Sequence, residues 1–169
     1  MREGTLSVLI PTYNRKELLL KTLEAYIHQT ARQEILEILV VDDGSKDGTG
    51  ELVQRFSTES PVPVRYLPQQ NRGIAAARNH GIREARGAII LFADDDIIPA
   101  PDFVREHLAW HERYPEHEVG VMGYVAWSPE VHPTPFMKWL SSTGPQFSYA
   151  NLLSGKAMSY TTCYFNSAS

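Results

Sequence analysis

One cysteine, Cys163, stands alone in 169 residues, so no internal disulfide can form and a reducing compartment is the expectation. Long apolar runs are also missing. No segment is long enough to span a bilayer, and the opening Met1-Arg-Glu-Gly-Thr lacks the apolar core of a signal peptide. Lys and Arg nowhere form a run, and the formal net charge is −4, which argues against a duplex-binding surface. No nucleic-acid partner is expected, and a phosphate-bearing substrate would need local basic groups or a metal. Internal repeats and low-complexity tracts are absent, and no acidic residue follows Glu130. What remains is ordinary for a globular chain: a 43% hydrophobic share and a length that suits one domain with a sizeable core.

Three consecutive aspartates, Asp94, Asp95 and Asp96, follow the apolar run 88–93. The run is short and β-rich, and Pro99 and Pro101 stop it from continuing, so it reads as a buried strand with carboxylates at its C-terminal end. Three adjacent like charges repel unless a hard divalent cation takes up their oxygens. A helix cap followed by a solvated loop is the plainer alternative for any single triplet.

The periodicity elsewhere alternates between strands and amphipathic helices. Leu6 to Pro11 reads as a first strand; Asn14 with Glu17 reads as a capping box ahead of a helix carrying Leu19, Leu23, Tyr26 and Ile27. Ile35 to Val41 is a second strand, Leu52, Val53 and Phe56 mark a second helix, and Val64 to Leu67 a third strand. A third helix presents Ile74, Ala77, Gly81, Ile82 and Ala85. After the aspartates come a helix from Pro101 to Tyr114 and a strand near Val119 to Ala126. This βαβαβαβαβ order predicts an α/β fold with a mostly parallel sheet and helices on both faces.

Parallel strands present their C-terminal ends on one edge, so Thr12-Tyr13-Asn14-Arg15, Asp42-Asp43-Gly44-Ser45 and the aspartate triplet share it. That edge suits a nucleotide. An Asp can accept the imide N–H of uracil or a comparable donor of another base, a Tyr or Arg can flank the ring, and a metal on the triplet can neutralise a diphosphate. Singly, Asp42 and Asp43 fit turn residues and Arg15 fits a solvated side chain; their coincidence is the stronger signal.

The segments 7–15, 40–49, 71–79 and 88–96 together resemble family 2 glycosyltransferases of the GT-A fold, in that family's order and spacing from Leu6 to about Phe103. The resemblance implies a Rossmann-like GT-A domain over 1–169, with a nucleotide-binding half at 1–103 and the start of an acceptor-binding half at 104–169. It also implies inverting transfer of a sugar from a nucleotide diphosphate sugar, a UDP-sugar by preference, to a carbohydrate or lipid-linked acceptor, assisted by Mg2+ or Mn2+. By that resemblance Pro11, Thr12, Tyr13 and Arg15 line the base pocket and Asp43 binds the base. Asp94 contacts ribose or metal, and Asp95 is the principal ligand of a DxD-type motif. Because Ala93 stands where the family more often has Asp, the register can shift by one residue, and Asp96 is the alternative ligand. Gly73 permits close backbone approach to the ligand. Arg78 holds the phosphates or their loop, or else forms an ion pair with a neighbouring Asp.

An inverting displacement also needs a carboxylate to take the acceptor's proton. In this family that Asp lies well downstream of the metal motif, and the expectation is that it falls beyond Ser169, leaving a donor-binding portion of a longer enzyme. Glu112, Glu116 and Glu118 read as a solvated helix end, and Thr161 to Ser169 as a strand leading into the acceptor region. The expected location is cytoplasmic, with peripheral contact at the inner membrane face as an option. His107 and His111 at i, i+4 could chelate zinc but lack a third ligand, and Cys163 reads as a small buried hydrophobe. The segment Trp127 to Trp139 is a connector, an acceptor loop or a membrane-surface contact. A non-catalytic nucleotide-sugar module is the alternative function. A receiver domain would want a late Lys, and a dinucleotide oxidoreductase a Gly-rich turn after the first strand, where Pro11 to Asn14 stand instead.

Overall fold

The computed structural model describes residues 5–116, 119–128 and 131–142. It divides into two compact units, Met1–Val121 and Met122–Ser169. The first unit is built on β1 (Leu6–Thr12) and β2 (Ile35–Asp42), whose near-continuous apolar runs are buried as strands covered on both faces must be. With β3 (Val64–Pro68) and β4 (Ile89–Phe92) they form a fully parallel sheet in the order β3-β2-β1-β4. Thr12, Asp42 and Pro68 lie in register at its C-terminal edge. Pro11 sits past the last β4 partner of β1, where a missing N–H is tolerated.

Among the described residues this unit carries the α-helices α1 (Lys16–Ile27), α2 (Thr49–Glu59), α3 (Ile74–Glu84) and α4 (Phe103–Arg113), with a 3-10 turn at Arg32–Glu34. Leu6, Val8 and Ile10 of β1 turn one way, into a core with Leu19 and Leu23 of α1, Val53 of α2 and Val104 and Leu108 of α4. Leu9 and Val41 turn the other way, onto Ala77 of α3. The period-two alternation of the strands therefore places helices on both faces, as the sequence predicts. Only Ala77 and Gly81 of α3 are buried, while Ile74 and Ile82 are exposed rather than part of the packed face. The close approach explains this: a Cβ on Gly81 would collide with the Leu9 side chain, so small residues must occupy the contact line and the larger ones fall outside it.

Asn14 does not cap α1. Its φ of 53° is left-handed, its side-chain oxygen accepts from Lys46 N (2.7 Å), and its own N–H donates to Ser45 Oγ (2.8 Å). The cap comes from a distant residue instead. Asp47 accepts from Lys16 N (3.0 Å) at the start of α1, and from both N and Oγ1 of Thr49 at the start of α2. One carboxylate thus serves two orphan helix ends, each with the favourable sign for the helix dipole. Burial alone would raise the Asp47 pKa, but these hydrogen bonds outweigh it and hold the carboxyl below the usual aspartate range.

At the opposite edge, Glu37 of β2 is buried and accepts from Ser7 Oγ (2.9 Å), Arg86 N (2.8 Å) and Arg65 Nη1 (2.8 Å). Gly87 N donates to Ser7 Oγ (2.8 Å) and its backbone lies against β1. A Cβ at Gly87 would stand 2.5 Å from Ser7 N and 2.9 Å from Leu6 C. Because backbone cannot swing aside, Gly87→Ala should destabilise the protein by about 1–3 kcal/mol; an unchanged midpoint in urea denaturation would contradict this.

In the second unit, α5 (Pro135–Ser142) begins within Trp127 to Trp139, the segment read as a connector, an acceptor loop or a membrane-surface contact. Trp127 Nε1 donates to Met137 O (3.2 Å), and the exposed Phe136 and Trp139 rings stack at 5.8 Å. Among the described residues, no strand pairs with 119–126, where a strand is expected near Val119 to Ala126. The segment 161–169, Cys163, Glu118 and Glu130 lie outside the described residues.

Candidate functional site

The three polar clusters do meet at the C-terminal edge of the sheet. Asp43 follows β2 directly, its N–H donating to Thr12 O (2.9 Å), which continues the β1–β2 ladder past the strands. Its buried carboxylate is gripped by the segment after β3: Oδ1 accepts from Gln69 Nε2 (2.7 Å) and Arg72 N (2.8 Å), and Oδ2 from Gly73 N (2.8 Å). Burial would raise this carboxyl's pKa, yet the three hydrogen bonds and the Arg72 charge hold it below the usual aspartate range. Asp43 is therefore an anion at neutral pH. Gly73, the residue that leads into α3, has φ 88° and ψ 162°, a conformation open essentially to glycine alone, and nothing lies within 4 Å of where its Cβ would be.

Asp42 turns away from this crevice. Its Oδ1 accepts from Ser45 N (2.8 Å), shaping the turn, and its Oδ2 from Tyr66 Oη (2.6 Å). Burial and that bond push the Tyr66 hydroxyl pKa up.

The triplet splits into one buried and two accessible carboxylates. Asp95 is 7% exposed in its side chain; Thr12 Oγ1 donates to its Oδ2 (2.7 Å) and Arg15 Nη1 to its Oδ1 (3.2 Å). Thr22 Oγ1 of α1 also donates to the backbone oxygens of Asp95 (3.0 Å) and Ile97 (3.3 Å), pinning the loop. Burial raises the Asp95 pKa; Thr12 and Arg15 offset part of this, and Asp96 pushes it up further. Asp96 and Asp94 are 45% and 47% exposed. Arg15 Nη1 bridges to Asp96 Oδ2 (3.0 Å), and Arg78 Nη2 to Asp94 Oδ1 (3.0 Å), so the ion pair foreseen as an option for Arg78 is formed. Arg78 Nε is buried with no hydrogen-bond partner. Tyr13 is exposed beside this group, while Pro11 is buried in β1.

Gln69, Arg72 and Thr22 were not singled out from sequence. Gln69 carries a signal in its place, directly after the end of β3 on the same C-terminal edge. The loop after the triplet is held by Gln29, whose Nε2 donates to Ala100 O (2.7 Å) and whose Oε1 accepts from Val104 N (3.0 Å) at the start of α4. His107 is buried against Phe103, with its pKa lowered to about 4 by burial and by His111. Among the described residues, no group of three His, Cys, Asp or Glu side chains gathers to enclose a metal ion.

Residues 7–165 match the profile described as Glycosyl transferase family 2. The chain belongs to that family. It is 41% identical over 106 residues to the uncharacterized glycosyltransferase YfnE of Bacillus subtilis, an alignment covering 63% of this chain and 26% of YfnE. In structure it resembles a mannosyltransferase, PcManGT from Pyrobaculum calidifontis in complex with GDP-Man and Mn2+, at TM-score 0.61 and 31% identity, over 66% of this chain and 33% of that one. It also resembles residues 1–349 of S. aureus TarS in complex with UDP-GlcNAc, at TM-score 0.58 and 25% identity, over 70% of this chain and 37% of that one. The chain thus spans between a quarter and two fifths of the length of these relatives. Its fold is that of the GT-A glycosyltransferases, and glycosyl transfer is the general chemistry of its family.

With Asp43 gripped by three donors, its truncation should have a local and legible effect. Asp43→Ala should weaken nucleotide diphosphate binding by about 1–3 kcal/mol and loosen the 69–73 segment while leaving the sheet intact. Calorimetric titration with circular dichroism checks this; unchanged affinity would remove Asp43 from the site.

Proposed function

We propose that this chain holds the donor site for a metal-assisted, inverting transfer of a sugar from a nucleotide diphosphate sugar to an acceptor hydroxyl. The observation that carries the reading is the meeting, at one sheet edge, of the ionised Asp43 in its backbone cradle and the half-exposed Asp94 and Asp96. Asp43 accepts an N–H of the base, Tyr13 flanks the ring with Pro11 and Thr12 beneath, and the open space beside Gly73 admits the nucleotide near the backbone. A UDP-sugar is the favoured donor, as in the relative that holds UDP-GlcNAc, and the GDP-Man of the other relative makes a GDP-sugar the second candidate.

The acidic loop fits a divalent cation of the Mg2+ or Mn2+ kind. Such ions take one or two protein carboxylates and fill their remaining positions with phosphate oxygens and water, so a three-sided protein cage is not needed. Asp96, with Asp94 beside it, is the accessible ligand, and Asp95 is the buried one that holds the loop through Thr12; Arg15 pairs with both Asp95 and Asp96 and yields to the cation at either. When bound, the cation neutralises charge on the departing nucleoside diphosphate. Arg15 and Arg78 orient the carboxylates and face the phosphates.

Each of the four carboxylates in this crevice is already engaged, Asp43 with the base, Asp95 with the loop, and Asp94 and Asp96 with the cation. The acceptor's proton therefore goes to a group outside this set. The test is calorimetry of UDP and GDP with and without Mn2+, beside a transfer assay with the corresponding sugar nucleotides. Metal-dependent binding without acceptor-dependent turnover by the 169-residue chain is the expected result. Metal-independent binding would overturn the cation assignment, and robust turnover would overturn the donor-site-only reading.

A further inference from the structure

The carboxylate of Asp43 has two oxygens and room for about four donors. Three places are filled, by Gln69 Nε2, Arg72 N and Gly73 N, which leaves one on Oδ2. Two of those donors are backbone groups fixed by the turn into α3. The third is a side-chain amide, and its direction is set by another residue: His80 Nδ1 lies 3.1 Å from Gln69 Oε1. A carboxylate only accepts, so the Gln69 NH2 must face Asp43 and its carbonyl oxygen must face His80. That orientation requires a proton on His80 Nδ1, since a lone pair there would oppose the amide oxygen. His80 is half-buried on α3, beyond the cradle and outside the cluster that meets the nucleotide.

We infer that His80 is a positioning residue for base recognition, acting through Gln69 to fix the Asp43 carboxylate so that its single open acceptor place meets a base N–H. This rests on the reading of Asp43 as the base-binding group. The ligand class it selects is a nucleoside diphosphate whose base presents one ring N–H in that direction, as uracil does at N3 and guanine at N1. Without His80 the Gln69 amide loses its second anchor, and Asp43 is left held firmly by the two backbone donors alone. The sugar and the diphosphate, held at the other strand ends, are not affected.

The experiment is calorimetry in Mn2+ with UDP and GDP, beside N3-methyl-UDP and N1-methyl-GDP, in which a methyl group replaces the N–H. The parent should prefer the unmethylated member of the pair it binds. His80→Ala should reduce that preference about 2- to 10-fold by weakening the unmethylated nucleotide alone. His80→Asn, whose Nδ2 keeps a donor at the δ position, should restore it. An unchanged preference in His80→Ala, an equal loss for both members of the pair, or failure of His80→Asn to rescue overturns the role of His80. A parent that binds both members alike, or binds none of the four, overturns the underlying role of Asp43 instead.

Discussion

Glu37→Ala should lower the free energy of unfolding by about 3 kcal/mol at neutral pH, the low end for removing one partner of a buried ion pair. Glu37 is the shared acceptor of three elements: Ser7 of β1, Arg65 of β3 and Arg86 in the loop before β4. Removing it leaves Arg86 N and Ser7 without their acceptor and leaves Arg65, only 23% exposed, with Glu84 as its remaining ion-pair partner. The pH dependence follows from the sign of the shift. Burial raises the Glu37 pKa, but Arg65, the Arg86 N–H and Ser7 outweigh it and hold the carboxyl below the usual glutamate range. A carboxyl depressed in the folded state contributes stability above its unfolded value, near pH 4.3, and that contribution is lost as the pH falls through the folded value. Urea denaturation of parent and variant at pH 7 and pH 3 should therefore show a gap that narrows in acid. Equal stability at pH 7, or a gap that widens in acid, would count against the network.

Asp96→Ala should abolish the Mn2+ dependence of nucleotide diphosphate binding. Partners that merely orient a metal ligand are worth about 10- to 100-fold in affinity, so under the proposed assignment of Asp96 as ligand its loss should reduce binding at least about 100-fold, to the level of the parent without metal. The fold should survive, because the Asp96 side chain is half-exposed and its ion-pair partner is the exposed Arg15. Asp95→Ala is the informative comparison. It removes the acceptor of Thr12 Oγ1 and loosens the loop, so it should lower thermal stability as well as binding. If Asp96→Ala kept its response to Mn2+ while Asp95→Ala lost it, the buried carboxylate would be the principal ligand and Arg15 would have to leave it on metal binding.

The sequence alone determined the parallel α/β layering, the edge on which polar residues gather and the family. These follow from local periodicity and from strand ends: runs such as Leu6 to Pro11 and Ile35 to Val41 have few alternatives, and parallel strands put Thr12, Asp43 and Asp94 on one side wherever they lie in the chain. What only the tertiary structure decided is the division of labour among like residues. Nothing local distinguishes Asp95 from Asp94 and Asp96; burial against Thr12 and Thr22, 83 and 73 residues away, does so. Nothing local separates Asp42 from Asp43, yet Tyr66 claims one and the Gln69–Gly73 segment the other. The capping box at Asn14 does not form for the same reason: Asp47 of the neighbouring loop accepts from the helix end instead. Propensity describes what a residue can do within its own turn. Which partner it takes depends on surfaces that come together only when the sheet has closed, and hydrogen-bond acceptors go to the donors that packing leaves unsatisfied.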